Sequence, residues 1–228
     1  MTFPNFSFEK AVFRKGFRVI AGVDEVGRGS FAGPVVAGCV AFCQIPNSKN
    51  QISNTIKIND SKKLNPKQRE KANFWIKRNA LCYGVGWASV SQINKFGIKK
   101  ASEIAFRKAI KNCGRRIDYL LIDAFYIPYV KGLRRGNPAC AGRQKPIING
   151  DAKSFSIAAA SIIAKVYRDK LMGKLAEDPK YKKYLWGKNK GYGTLSHRKA
   201  IKKYGLTRFH RKKFVETFFK NSSFSQVQ

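Results

Sequence analysis

Asp24 and Glu25 stand side by side where an apolar run (Val19, Ile20, Ala21, Val23) ends, and Gly27-Arg28-Gly29 follows at once. The run predicts a buried strand. Carboxylates at the end of a core strand are costly to desolvate unless something cationic meets them there. Two more acids occupy comparable places. Asp123 closes the apolar stretch 117–122, and Asp151 stands in Asn149-Gly150-Asp151-Ala152-Lys153-Ser154, ahead of a long helical pattern. Parallel neighbouring strands that both end in carboxylates, with a third acid from a helix entry, can surround a pair of hard cations. Mg2+ and Mn2+ prefer oxygen ligands and retain waters, so a few carboxylates plus a substrate phosphate complete the shell. The chemistry expected is metal-assisted work on a polyphosphate.

Each acid also has a plainer assignment. Asp24 and Asp123 could pair with cations of the chain, and Glu25 could stabilise the turn. Asp151 is balanced between a helix cap and a metal ligand. Asp60, in Ile58-Asn59-Asp60-Ser61-Lys62-Lys63-Leu64, reads as a turn residue beside two lysines, Lys62 and Lys63, placed to contact phosphates. Asp169 falls inside a helical pattern and reads as an ion-pair partner. Spacing alone does not separate these alternatives; the combination has to.

The elements that must carry these residues alternate between strand and helix, which predicts an α/β fold. Strands are expected at 17–24, 35–42, 81–88 and 117–123, the third alternating in polarity. Helices are expected at 66–79, opening on Pro66, at 98–113, and at 155–176, where Ser154 could cap and small residues (Ala158, Ala159, Ala160, Ser161, Ala164) allow close packing on a sheet. A basic Gly/Arg/Pro-rich loop spans 131–148, with no role assigned to it beyond added backbone contact. A division is expected at about residue 178, with residues 1–178 as a catalytic domain and 179–228 as a basic helical extension completing the substrate groove, frayed at 223–228. That extension interleaves cations with aromatics (Tyr181, Tyr184, Trp186, Tyr192, Tyr204, Phe209, Phe214), most of them expected in the core and one or two on substrate.

Forty-six Lys and Arg against 13 Asp and Glu leave a net charge of +33, far beyond what solubility needs. Such an excess marks a binder of nucleic acid or of anionic membrane. No apolar run approaches the ~20 residues that cross a bilayer, and the first ten residues lack the pattern of a signal peptide. A cytoplasmic protein acting on nucleic acid, without a membrane and as a monomer, is the expectation. The five cysteines (Cys39, Cys43, Cys82, Cys113, Cys140) include no C-x-x-C pair and read as reduced and structural. The two histidines, His197 and His210, are too few for a zinc cluster and read as structural or phosphate-contacting.

Val23-Asp24-Glu25-Val26-Gly27-Arg28-Gly29 resembles the opening motif of ribonuclease HII, the bacterial type 2 ribonuclease H. Further motifs follow in the family's order: Asp60-Ser61-Lys62-Lys63-Leu64, Leu121-Ile122-Asp123, Gly150-Asp151 running into Ala159-Ala160-Ser161-Ile162-Ile163-Ala164-Lys165-Val166-Tyr167-Arg168-Asp169, Lys190-Gly191-Tyr192-Gly193-Thr194 with His197, and His210-Arg211-Lys212-Lys213-Phe214. The resemblance covers about residues 17–215. It implies a ribonuclease H-like fold, a central mixed sheet flanked by helices, with a helical C-terminal extension. It also implies endonucleolytic cleavage of RNA in RNA–DNA hybrids and of single ribonucleotides embedded in DNA, by a two-metal mechanism using Mn2+ or Mg2+ that leaves 3′-hydroxyl and 5′-phosphate ends. By the same resemblance Asp24, Glu25, Asp123 and Asp151 bind the metals, the backbone of Gly27-Arg28-Gly29 reads the ribose 2′-hydroxyl, and Tyr192 stacks on the neighbouring deoxyribose.

Two other classes compete. A non-catalytic basic RNA-binding protein accounts for the charge but not for carboxylates at the ends of buried strands. Another nuclease of the same fold, such as a junction resolvase, would be indifferent to ribose.

Overall fold

The computed structural model describes residues 3–42, 56–130, 133 and 143–224. Cys43, Cys140, positions 131–132 and 134–142 of the basic loop, and residues 225–228 lie outside these.

In chain order the elements are α1 (Ser7–Phe13), β1 (Ile20–Val26), β2 (Val35–Ala41), α2 (Pro66–Asn79), β3 (Cys82–Ala88), α3 (Val90–Asn112), β4 (Tyr119–Asp123), β5 (Gln144–Ile147), a 3-10 turn (Gly150–Ala152), α4 (Phe155–Glu177), α5 (Pro179–Lys182), α6 (Trp186–Asn189), α7 (Leu195–Tyr204) and α8 (Lys212–Phe224). The five strands form one mixed sheet in the order β3-β2-β1-β4-β5. β1 runs antiparallel to β2 and parallel to β4, and β4 runs parallel to β5.

β1 extends to Val26, so Asp24 lies within the strand, paired with Gly38 across β2, instead of at its end. The N-terminal part of the expected strand, 17–19, precedes the ladder. α2 begins where Pro66 predicted: the Asn65 side chain accepts from Gln68 N–H at 2.9 Å, and Gln68 returns the bond to Asn65 N–H at 2.9 Å. Those reciprocal bonds satisfy donors the helix cannot satisfy itself. α3 starts eight residues earlier than expected, at Val90, and is interrupted at Gly97 (φ 79°, ψ 164°), which is why the periodic pattern begins at Ile98. β5 emerges from the stretch expected to be loop. It carries Pro146, which lacks a ladder donor and is tolerated because β5 is an edge strand. α8 continues through Phe224, past the start of the expected frayed end.

The chain folds into two compact units, the first comprising residues 1–26, 36–87 and 103–167, the second 27–35, 88–102 and 168–228. The boundary expected at 178/179 falls within the second. In the first unit α4 lies against the sheet at glycine positions. An added Cβ at Gly22 would sit 2.2 Å from Ile157 N, and one at Gly38 would sit 2.2 Å from Ala160 O. The core there is Val40, Leu64, Ile76, Phe155, Ile162 and Ile163, among others. The start of α4 is satisfied from outside the helix. Buried Glu9 accepts from Ser154 Oγ (2.6 Å), Ser156 Oγ (2.6 Å) and Ser156 N–H (3.0 Å), a carboxylate on the positive end of the helix dipole. The expected Ser154 cap is present as well, accepting from Ile157 N–H at 3.3 Å. The second unit has its own core, built on Phe31, Met172, Tyr184, Trp186, Ile201 and Val215. No helix among the described residues is long and apolar enough to cross a membrane.

Candidate active site

β1 and β4 lie side by side in parallel, Val23 opposite Ile122, so Asp24 and Asp123 issue from adjacent positions on neighbouring strands. The 3-10 turn that precedes α4 brings Asp151 to the same place. One carboxylate oxygen from each of Asp24, Asp123 and Asp151 lies within 4.8 Å of the others. Glu25, the next residue on β1, is not one of that trio. Its charge is nonetheless close enough to act on Asp24.

Each carboxylate of the trio is oriented by its surroundings. Asp24 is buried; its Oδ1 accepts Glu25 N–H at 2.7 Å, and its carboxylate accepts the Ser161 hydroxyl. Ser161 Oγ lies 2.9 Å from Ser61 Oγ; because the Ser161 proton goes to Asp24, Ser61 donates to Ser161. Asp123 Oδ1 accepts Gly150 N–H at 2.8 Å. Asp151 takes a bond from Ala152 N–H and lies inside its 3-10 turn, while α4 is capped by Ser154 and Glu9, so Asp151 is not that helix's cap.

Crowding of acids shows in their proton affinity. Asp24 is held well above the usual carboxylate range, first by burial and then by Glu25, with Asp123 and Asp151 adding to it and the Ser161 hydroxyl opposing. Asp151 is also raised, by burial, then by Asp60 and Asp123, with Lys62 opposing. Raised proton affinity at Asp24 and Asp151 is what a hard divalent cation relieves, and the all-oxygen trio is a donor set that fits Mg2+ or Mn2+.

Asp60 does sit in a turn, as expected, accepting Lys62 N–H at 2.9 Å, but its charge also reaches Asp151. Lys62, in that turn, lies near enough to Asp151 to stabilise its ionised form. Lys63 is exposed in the same turn, its N–H donating to Asp60 O at 2.9 Å.

The second unit holds the other expected residues. Gly27 has φ +86°, a left-handed conformation that favours glycine, and a Cβ there would strike Arg168 Nε at 2.0 Å. Arg28 and Gly29 are exposed, and a Cβ on Gly29 would meet nothing within 4 Å. Tyr192 is half-buried, with the Arg168 guanidinium 5.5 Å from its ring centre. His197 Nδ1–H donates to Tyr192 O at 2.9 Å. His197 Nε2 then accepts from Trp186 Nε1–H (3.0 Å) and from His210 Nε2–H (3.2 Å), while His210 Nδ1 accepts Thr207 N–H (2.9 Å). Both rings are therefore neutral, in keeping with burial, which lowers His197 and, with the adjacent His197, pushes His210 down to about 4. The histidines are structural and not surface phosphate contacts.

A sequence profile described as Ribonuclease HII matches residues 21–222. The chain belongs to the ribonuclease HII family. Ribonuclease HII of Chlamydia caviae is 45% identical over 91% of this chain and 89% of its own, and that of Bacillus subtilis 44% identical over 92% and 74%. Among solved structures, ribonuclease H2 from Pyrococcus horikoshii matches with a TM-score of 0.64 at 26% identity, covering 89% of this chain and 99% of that one. The ribonuclease HII family consists of metal-dependent endoribonucleases that cleave the RNA of RNA–DNA hybrids, and the mixed sheet flanked by helices seen here is its ribonuclease H-like fold.

Three buried polar residues carry no chemical signal by their type or spacing, one in the first unit and two in the second. Ser161 looks like one more small residue on a packing face; a hydroxyl amid Ala and Ile was its only mark. Arg168 and Arg211, both fully buried, are two cations among 46.

Proposed function

We propose that this chain hydrolyses the RNA strand of RNA–DNA hybrids and also cuts 5′ of single ribonucleotides embedded in duplex DNA, leaving 3′-hydroxyl and 5′-phosphate ends. The observation that carries the proposal is the gathering of Asp24, Asp123 and Asp151 within 4.8 Å in a chain of net charge +33. With 13 acids in all, the fold gathers these three, and their neighbours' charges add to the burial that raises Asp24 and Asp151. Such an arrangement is a liability without a cation and an asset with one.

Asp24, Glu25, Asp123 and Asp151 would hold two ions, Mn2+ or Mg2+. Bound there, the ions supply an activated water and offset charge on the leaving oxygen. The chain's own groups do the positioning. Ser161 and Glu25 N–H fix Asp24, and Gly150 N–H fixes Asp123, so both present oxygens with little rearrangement. Lys62 and Lys63 contact phosphates without regard to sequence. The main chain of Gly27-Arg28-Gly29, which follows the metal-binding acids directly, hydrogen-bonds the ribose 2′-hydroxyl, and the open space at Gly29 leaves room for a sugar. A site built around a hydroxyl rejects the analogue lacking it by roughly 10⁴–10⁵. Tyr192 stacks on the neighbouring deoxyribose. The protein acts as a cytoplasmic monomer, with the C-terminal segment 179–228 completing the groove.

The test uses a DNA duplex carrying one ribonucleotide, with Mn2+ or Mg2+ supplied and then chelated. Wild type should cut it at the 5′ side of the ribonucleotide only with metal, and Asp24→Asn should lose cutting by at least about a thousandfold. An uncut duplex, or Asp24→Asn as active as wild type, would sink the proposal. Efficient cutting of an all-DNA junction would favour the resolvase alternative instead.

A further inference from the structure

Two arginines lie fully buried within the second unit, and their bonds run to main-chain oxygen. Arg211 donates from Nη2 to Gly27 O (2.7 Å), from Nη1 to Arg28 O (2.7 Å) and from Nε to Gly33 O (3.0 Å). Arg168 donates from Nη2 to Ala32 O (3.1 Å), from Nε to Pro34 O (3.0 Å) and from Nη1 to Lys190 O (2.9 Å). Five of the six acceptors belong to the stretch 27–34 that begins with Gly27-Arg28-Gly29; the sixth belongs to the residue two before Tyr192. A buried cation is expensive, and charge-assisted bonds to several carbonyls are how that cost is met here. Burial lowers Arg168, and burial plus the Arg168 charge push Arg211 down to about 9, which leaves it charged at neutral pH.

The geometry has a directional consequence. In a trans peptide, C=O and N–H point opposite ways. With Gly27 O and Arg28 O turned toward Arg211, the amides of Arg28 and Gly29 are turned away from it. Arg211 therefore sets the orientation of two adjacent donors in the turn. Arg168 couples the same stretch to Tyr192, through Lys190 O and through its guanidinium 5.5 Å from the ring. Gly27 is glycine because Arg168 fills the space a Cβ would take.

We infer that Arg168 and Arg211 are specificity-determining positioning residues: they fix the backbone donors that tell ribose from deoxyribose, and do so without touching substrate. This rests on Gly27-Arg28-Gly29 being the ribose-recognising turn. Lysine, whose three donors radiate from one nitrogen, cannot reproduce the planar spread of a guanidinium across these carbonyls, so Arg→Lys keeps the charge and removes the geometry.

The experiment compares wild type with Arg211→Lys and Arg168→Lys on two duplexes, one with a single ribonucleotide and one with 2′-fluoro-2′-deoxyribose at that position. Near-ultraviolet circular dichroism and the shift in melting temperature on adding Mn2+ check the fold and the acid site. Both variants should keep the Mn2+ shift, lose roughly tenfold to a hundredfold in kcat/KM on the ribonucleotide, and lose at least about tenfold in the ribose-to-fluoro ratio. An unchanged ratio, whether activity falls or not, overturns the inference and leaves the arginines as plain scaffold. Loss of fold in both variants overturns it too, because a discriminating role must be separable from folding. If wild type itself ignores the 2′-hydroxyl, the fault lies with the assignment of the turn, not with the arginines.

Discussion

Asp24 is the residue on which burial and chemistry pull hardest against each other. Its folded pKa is raised, chiefly by burial and by Glu25, above the ~3.9 of an unfolded aspartate. Between those two values the folded state binds more protons than the unfolded one. The stability Asp24 contributes is therefore complete below the unfolded value and is lost as pH rises through the folded one. Two outcomes follow for thermal unfolding without metal and with Mn2+. Asp24→Asn should melt higher than wild type in the absence of metal, at about 2–4 °C per kcal/mol for a chain of this length, and should lose most of the Mn2+ gain. In wild type that gain should be larger at pH 8 than at pH 5.5, because the ion must compete with the proton. A metal-free Asp24→Asn that melts lower, or a gain that shrinks with pH, contradicts the account. Acids such as Asp24 and Asp123 could be singled out from the sequence because they interrupt apolar runs in a chain that has few acids. Ser161, Arg168 and Arg211 fall inside the family motifs, but their roles could not be read there, since a helix shows serine as filler and a basic chain shows arginine as surface until packing reveals the partners.

α4 holds the Ser161 hydroxyl to Asp24 only because β1 and β2 let it come close. Gly38, directly across from Asp24, has Ala160 O where a Cβ would be. Gly38→Ala should therefore cost about 1–3 kcal/mol, the usual range for overpacking, and lift the Ser161 end of the helix from the carboxylate. Denaturant unfolding together with cutting rate checks this; an alanine tolerated in both would mean that the helix is free to shift. Elements with a strong local signal were legible: the alternation of β3, the opening proline of α2 and the small-residue face of α4 all follow from local chemistry, while the Asn65–Gln68 capping box emerged only in the structure. β5 was hidden by its proline and by basic surroundings, because an edge strand needs only half the pattern of a central one. The first segment of α3 was masked by Gly97, and α1 is too short for periodicity to register. The side-by-side parallel pairing of β1 and β4 was expected from two carboxylate-terminated strands, whereas the full order β3-β2-β1-β4-β5 depends on long-range pairing that no local signal encodes.

A net charge of +33 on 228 residues makes counterion release the main source of affinity for any duplex. Binding of uncleaved hybrid by Asp24→Asn, titrated between 50 and 200 mM KCl, should weaken by about 10³–10⁵, as for proteins that neutralise six to ten phosphates. A log–log slope near −1 would show that the basic surface is not the groove. The same sheet that gathers the acids has a cost in time. β1 pairs with β4 in parallel across nearly a hundred residues of chain, Ile20 with Tyr119, and Asp151 arrives later still. Closing so long a loop precedes any reward from the contacts it permits. A polypeptide still emerging from the ribosome has Asp24 long before it has Asp123 or Asp151, so the acidic trio cannot gather until about two-thirds of the chain has been made.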